Sequence, residues 1–497
     1  MSPVAPAARP APLPAPLPAP SPAPSPWTRR LQSLWGAAFV VGGLTLTAKV
    51  AALLKDSLVA AHFGSGAELD AFLLALVVPG FLISVAAGTL PAALTPTYIA
   101  VREQDGPDVA RALARAIFAK AFRALAALSI LAGVLSLSYG WLPGTHLAAR
   151  TRETLPLLAL ALAPYTLLQG VCATWSGLLA AERGYAASAM APIAQPVGMG
   201  LAIWLGGTSI GPAILVVGLI GGTLVQGAIF AWALHTRGLP MFAWRTPSDL
   251  PLASRLAIAR VQSQYIPAVA STVLMSATTV IDQSMAAWLP SGSVSALGFG
   301  TKLSAVMMSV GAMALSTTLL PHLSELVARE QWLALRLLTR RVALLIVATT
   351  IPLTIGLIVM SAPIVRLLFQ RGAFSASETL TVASVQSAYL LQLPVHLLGI
   401  LYVRLISALQ ANRLLTIGSA VNLTVNIALN VLFMRWLGVA GIALSTASVY
   451  AVSCLFLAMA AYRRLAVAEL ASAATARVRA APSMMPTIAE VPCASAA

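Results

Sequence analysis

Apolar residues run through this chain in long unbroken blocks, rather than in the alternation of strands or the one-sided stripes of surface helices. A hydrocarbon layer about 30 Å thick takes about 20 such residues per crossing helix. Twelve blocks qualify: 33–54, 71–99, 117–140, 154–180, 185–205, 211–234, 264–288, 296–320, 342–361, 380–406, 414–435 and 440–461. Polar loops between them are short, the longest running from about His235 to Ser263. The pattern predicts an all-α polytopic membrane protein with about twelve transmembrane helices and no sizeable soluble domain.

Composition agrees. Of 497 residues, 59% are hydrophobic and 9% charged, with a mean hydropathy of +0.86; soluble domains carry about 25% charged residues. The net charge of +16 would suggest nucleic acid in a soluble protein. Here the arginines sort into alternate loops, which follows the positive-inside rule. Arg29/Arg30, Arg102/Arg111/Arg115, Arg183, Arg237/Arg245/Arg255/Arg260, Arg329/Arg336/Arg340/Arg341, Arg413 and Arg463/Arg464 fall on one side. Arg150, Arg152, Arg366, Arg371 and Arg435 fall on the other. That bias places both termini in the cytoplasm. Cys172, Cys454 and Cys493 form no spacing motif; the first two fall within apolar runs and read as buried, inert thiols and not as a disulfide or metal site.

The domain boundaries follow from the same pattern. Residues 1–30 are a Pro/Ala-rich tail expected to be disordered and cytoplasmic. An N-terminal six-helix lobe spans 31–235, a cytoplasmic linker 236–262, a C-terminal six-helix lobe 263–464, and a second disordered tail 465–497. The two lobes resemble each other. "SGAELDAFLLALVVPGFLISVAAGTLPAALTPTYIAVRE" (65–103) parallels "SGSVSALGFGTKLSAVMMSVGAMALSTTLLPHLSELVARE" (291–330). "PYTLLQGVCATWSGLLAAER" (164–183) parallels "PVHLLGILYVRLISALQANR" (394–413), and "WLG" at 204–206 recurs at 436–438. The offset stays at about 226–232 residues. Parallel repeats of this kind are related by an axis along the membrane normal and enclose a central cavity.

Charges inside the apolar blocks are the functional signal. A lysine at the centre of a membrane helix costs about 2.5–3.5 kcal/mol on insertion scales, so it faces a cavity, a partner or the interface. Lys49, Lys55, Asp56, Asp282 and Lys302 all fall toward the outer half of their helices. Each can snorkel to the interface or turn into the cavity; Arg404 reads as a snorkelling residue. Asn422, Asn426 and Asn430 share one helix face, as inter-helix hydrogen-bonding groups or as a cavity-lining polar stripe. Pro79, Pro91 and Pro96 interrupt the second helix and suit a segment that bends. Neither a phosphate-binding Gly-rich loop nor an outward Asp-x-Asp is present, and the five histidines lack ligand spacing. An enzyme, a metal site or a bound cofactor therefore finds no support.

Three stretches carry a family resemblance: "LLKDSLVAAHFGSGAELDAFLLALVVPGF" (53–81), "TKLSAVMMSVGAMALSTTLLPHLSE" (301–325) and "LLFQRGAF" (367–374). The chain resembles the MviN/MurJ-type lipid II flippases of the multidrug/oligosaccharidyl-lipid/polysaccharide exporter superfamily over about residues 35–462. The resemblance implies a bacterial inner-membrane protein of peptidoglycan or polysaccharide biosynthesis. It would move a polyprenyl-diphosphate-linked precursor outward by alternating access, driven by a coupling ion or the membrane potential. Its implied partners are that glycan lipid, membrane lipids and cell-envelope synthesis proteins.

Carried over by position, Lys49 and Lys55 stand where arginines are typical of the first helix. Asp56 matches an Arg-Asp pair, Asp70 an Asp-Ala-Phe, and Lys302 an arginine of helix eight. With Asp282 these form the expected substrate-binding set. The chain departs from the family at Ile83 and Ser84, where two arginines are usual, and at Ala87–Gly88, where Glu-Gly is usual. It also stops at twelve helices, without the further pair that typically forms a lipid-tail groove. Those departures also fit a flippase for an exopolysaccharide or O-antigen unit, and leave open a non-transporting scaffold that recruits partners through its proline-rich tail. A drug/cation antiporter of the same superfamily would want acids, not lysines, in the cavity.

Overall fold

The computed structural model describes residues 26–138, 149–207, 210–239, 242, 251–411 and 413–480, and among them there are helices and turns but no strand. The first half comprises α1 (Pro26–Phe63), α2 (Ala67–Leu82), α3 (Leu90–Asp105), α4 (Pro107–Ser138), α5 (Ala149–Ala181), α6 (Tyr185–Met190), α7 (Ala194–Gly206) and α8 (Ala213–His235). In the second half are α9 (Leu252–Ala286), α10 (Ser293–Ala328), α11 (Trp332–Val359), α12 (Ser361–Phe369), α13 (Ala376–Leu390), α14 (Gln392–Ala408), α15 (Arg413–Leu437) and α16 (Val439–Ala480). Among the described residues, ten helical rods are long and apolar enough to cross a membrane. Helices α1 and α15 occupy the two remaining predicted crossings; α15 carries a shorter apolar stretch, Val421–Leu437.

The crossing built from α2 and α3 shows how the prolines are accommodated. Between the two helices Ile83–Ala87 forms a π turn, closed by Gly88 N–H donating to the Ile83 carbonyl at 2.9 Å. The Tyr265 hydroxyl of α9 donates to the Ala86 carbonyl at 2.7 Å, so a neighbouring helix satisfies backbone exposed by the irregular turn. Elsewhere small residues bring helices together. A Cβ on Gly198 of α7 would meet Gly222 Cα of α8 at 2.7 Å, and one on Gly218 would meet Met199 Cα at 2.6 Å. Gly218 and Gly222 are the small-xxx-small spacing that lets membrane helices approach closely.

Chain-end geometry repeats between the halves as the sequence repeat requires. The turns after α5 and α14 each hold a positive-φ residue, Arg183 at 58° and Gln410 at 56°. Trp204 and Trp436 of the two Trp-Leu-Gly triplets are 76% and 83% exposed, as befits rings at a membrane–water boundary. One buried cluster joins the two halves, holding Leu69, Phe72 and Leu74 of the first together with Phe299, Phe369 and Phe374 of the second. The rings of Phe299, Phe369 and Phe374 lie 4.9–6.1 Å apart, which fixes the "LLFQRGAF" turn against α10. The other two clusters fill the opposite ends of the N-terminal and C-terminal lobes.

The expected domain limits shift at three places. Helix α1 begins at Pro26, inside the expected 1–30 tail, and α9 begins at Leu252, inside the expected 236–262 linker. At the other end α16 continues to Ala480, so residues 465–480 of the expected tail are helical. Ala-rich sequence favours a helix, and two contacts hold the extension to α11 and its preceding turn: Arg336–Glu469 at 2.8 Å, and Ser472 Oγ donating to Glu330 at 2.5 Å. Residues 1–25 and 481–497, with Cys493, lie outside the described residues.

Candidate functional site

Three charged side chains meet where the halves join. Asp56 of α1 accepts a hydrogen bond from Lys302 Nζ of α10 on Oδ2 at 2.9 Å, while Lys55 Nζ pairs with Oδ1. Side-chain exposure is 9% for Asp56, 18% for Lys55 and 38% for Lys302. Two ammonium groups thus face one carboxylate, leaving one positive charge uncompensated among apolar walls. Such walls screen charge poorly, so a lysine there attracts an anion more strongly than at a wet surface.

The cluster borders a cavity of about 320 Å³ within the N-terminal lobe, closed on one side by α10. Phe72, Tyr165, Gln195 and Phe299 share its lining with the three charges. Gln195 is fixed by donating to Gln169 Oε1 at 3.0 Å and Thr223 Oγ1 at 2.9 Å. An ammonium has three donors, so Lys302 keeps donors free after bonding Asp56, and it is the most exposed of the three. The arrangement can hold a small, highly charged anion. Lys49 is half-buried two turns earlier on α1 and is not part of this lining.

Asp70 does different work. Both its oxygens receive backbone N–H groups at the start of α10: Gly292 at 2.6 Å and Ser295 at 2.8 Å. A carboxylate from α2 therefore caps a helix of the other lobe, where the helix dipole favours negative charge. Glu378 is its counterpart. It accepts from Ser65 N–H at 2.5 Å across the lobes and completes a capping box with Ser375 at the start of α13. Ala373 N–H donates to the Ala61 carbonyl at 2.8 Å, and Ser57 Oγ to the Leu368 carbonyl at 2.5 Å. These bonds join the two lobes at the end expected to face outward.

Asp282 lies in the C-terminal lobe, apart from the lysines. It accepts from Asn426 (3.1 Å), Asn430 (2.7 Å) and Thr446 (3.0 Å). Asn426 and Asn430 are 1% and 0% exposed, and Asn422 donates to Ser453 Oγ at 3.1 Å. Asn426 and Asn430 thus serve the inter-helix hydrogen-bonding alternative, supplying the donors that a buried carboxylate needs. Ile83 and Ser84, where the family usually has arginines, sit in the π turn, and Ser84 Oγ meets Ser276 Oγ of α9 at 3.1 Å.

Of the sequence candidates, the fold brings Lys55, Asp56 and Lys302 together and assigns Asp70 and Asp282 to separate clusters. Glu378, Tyr165 and Gln195 were not among those candidates. The Ser375-x-x-Glu378 spacing is a readable capping-box signal; the other two are neutral residues in apolar blocks and carry none.

Known proteins resemble the chain in sequence and in fold. The family model described as lipid II flippase MurJ matches residues 59–491. A probable lipid II flippase MurJ of Rhizobium meliloti (strain 1021) is 27% identical over 419 residues, covering 81% of this chain and 76% of its own. One from Synechocystis sp. (strain ATCC 27184 / PCC 6803 / Kazusa) is 26% identical over 447 residues, covering 88% and 83%. Among solved structures, a lipid II flippase MurJ in an inward closed conformation superposes with a TM-score of 0.71 at 20% identity, covering 88% of this chain and 92% of that one. An inward-facing multidrug resistance MATE family transporter gives 0.69 at 12% identity, covering 87% and 99%. Both structures share the fold.

Proposed function

Since the chain belongs to the lipid II flippase MurJ family, we propose that it carries a polyprenyl-diphosphate-linked cell-envelope precursor from the inner to the outer leaflet of a bacterial inner membrane. The observation that carries this reading is the Lys55–Asp56–Lys302 cluster bordering the N-terminal-lobe cavity that α10 closes. A diphosphate matches it in charge and size. Binding would draw on the free donors of Lys302 and loosen its bond to Asp56, the ion pair that spans the lobes. Both termini lie in the cytoplasm in this reading, and the headgroup enters from the inner side while Asp70 and Glu378 keep the outer face closed. Rocking of the lobes then exposes the cavity outward.

The drive is an ion gradient. Asp282 is buried with neutral donors only among its hydrogen-bond partners, and Asn430 Oδ1 beside it has no partner. A small monovalent cation there would neutralise the carboxylate and take up the unpartnered Asn430 oxygen.

Complementation tests the function. The protein and its Lys302→Ala variant are expressed in a bacterium whose own lipid II flippase can be shut off. Growth with the wild type alone supports lipid II as substrate and use of the lysine. Failure of an inserted wild type redirects the reading to another polyprenyl-linked glycan, such as an exopolysaccharide or O-antigen unit. Deleting residues 1–25 separates transport from scaffolding: a flippase keeps its activity, whereas a scaffold loses its phenotype.

A further inference from the structure

Gly298 of α10 lies in the walls of two cavities at once. One holds the lysines. The other, about 310 Å³, sits inside the C-terminal lobe. Adjacent residues point about 100° apart around a helix. Accordingly Lys302 lines the first cavity and its neighbour Thr301 the second.

The chemistry of the second cavity is unlike that of the first. Thr301, Ser304, Tyr389, Gln392 and Tyr450 converge on it, all neutral hydrogen-bonding groups. Asp282 is the sole charged residue in its described lining, and Asn426, Asn430 and Thr446 already bond its oxygens. Gln392 is 5% exposed, yet its Oε1 has no hydrogen-bond partner. A buried amide oxygen left unbonded is costly and wants a donor from something else. Hydroxyls and amides both donate and accept, which suits a ligand bearing many hydroxyls. A second anion is disfavoured there by Asp282.

We propose that this cavity is a sugar subsite: it holds the first sugar of a glycan lipid whose diphosphate is bound by Lys55 and Lys302. The inference rests on the flippase reading and deepens it. In a glycosyl diphosphate the anomeric carbon is joined to phosphate through a single oxygen, so the sugar must lie one ring away from the phosphate-binding lysine. Thr301 and Gly298 border that position, and Gln392 offers its free oxygen to a hydroxyl or acetamido N–H.

The test uses the full-length protein in nanodiscs and two probes, a polyprenyl diphosphate and the same lipid carrying one N-acetylglucosamine. Binding is read by native mass spectrometry. The wild type is expected to bind the glycosylated probe about tenfold tighter, a preference of about 1.4 kcal/mol. Gln392→Leu, and separately Thr301→Val, should erase that preference while leaving affinity for the sugar-free lipid unchanged. That unchanged affinity also reports correct folding. Lys302→Ala should weaken both probes alike. Equal binding of both probes by the wild type, or a preference that survives both variants, overturns the sugar subsite but leaves the flippase reading intact. Binding of neither probe removes the flippase reading, and the subsite with it.

Discussion

Asp56 on the first helix and Lys302 on the tenth stand 2.9 Å apart across the boundary between the two halves of the chain. Each lies in an apolar segment where its charge alone would be expensive. Together with Lys55 they form a group whose cost is shared, and they tie the lobes at the place where a ligand anion would arrive.

The ion pair yields the first prediction. Lys302→Ala should abolish transport in reconstituted vesicles while membrane insertion, followed by protease protection, stays normal. Lys302→Arg restores the charge and the forked donors that suit phosphate, so it should recover activity. Full transport by the alanine variant would remove Lys302 from the mechanism.

Asp70→Asn keeps an acceptor at the start of α10 but removes the charge. A charge at a helix N-terminus contributes about 0.3–1 kcal/mol, and up to about 2 kcal/mol when partly buried. The contact between α2 and the start of α10 should therefore be populated less. Spin labels on the α1–α2 and α9–α10 turns should show a larger share of long distances than in the wild type.

Gly372 has φ +59°, and a Cβ there would lie 2.2 Å from the Ala61 carbonyl oxygen. Gly372→Ala should thus break the Ala373–Ala61 hydrogen bond between the lobes. The left-handed conformation adds about 1–2 kcal/mol for a residue with a side chain. A lowered melting temperature and greater labelling of a cysteine placed at Ser65 are the expected readouts; unchanged labelling would mean that this contact does not hold the face shut.

Asp282→Ala removes the acceptor shared by the buried Asn426 and Asn430 amides, at about 1–3 kcal/mol each, while Thr446 keeps the Ile442 carbonyl. That variant should be strongly destabilised. Asp282→Asn retains an acceptor and should fold, but transport should no longer respond to an imposed cation gradient. A gradient response equal to the wild type would take Asp282 out of the coupling.

Much of the architecture is written locally. Insertion into a bilayer depends on the length and polarity of each segment, so the crossings, the lobes and the repeat could be read from residues 33–461 one block at a time. The price of an intramembrane charge is equally local, which is why Lys55, Asp56, Asp282 and Lys302 stood out in the sequence. What each charge faces is not local. Asp56 and Lys302 meet, and Asp70 caps α10 across more than 200 residues of chain, only because two lobes dock at one face. Helical spacing put Asn426 and Asn430 on a common face; the packing of α15 against α9 decided that this face meets Asp282. Neutral groups such as Gln392 carry no insertion penalty large enough to mark them, so only the folded packing gave them a role. The sequence determined which residues needed partners, because desolvation acts on each group alone. Tertiary structure decided which partners they found, because hydrogen bonds and ion pairs act over a few ångströms between segments far apart in the chain.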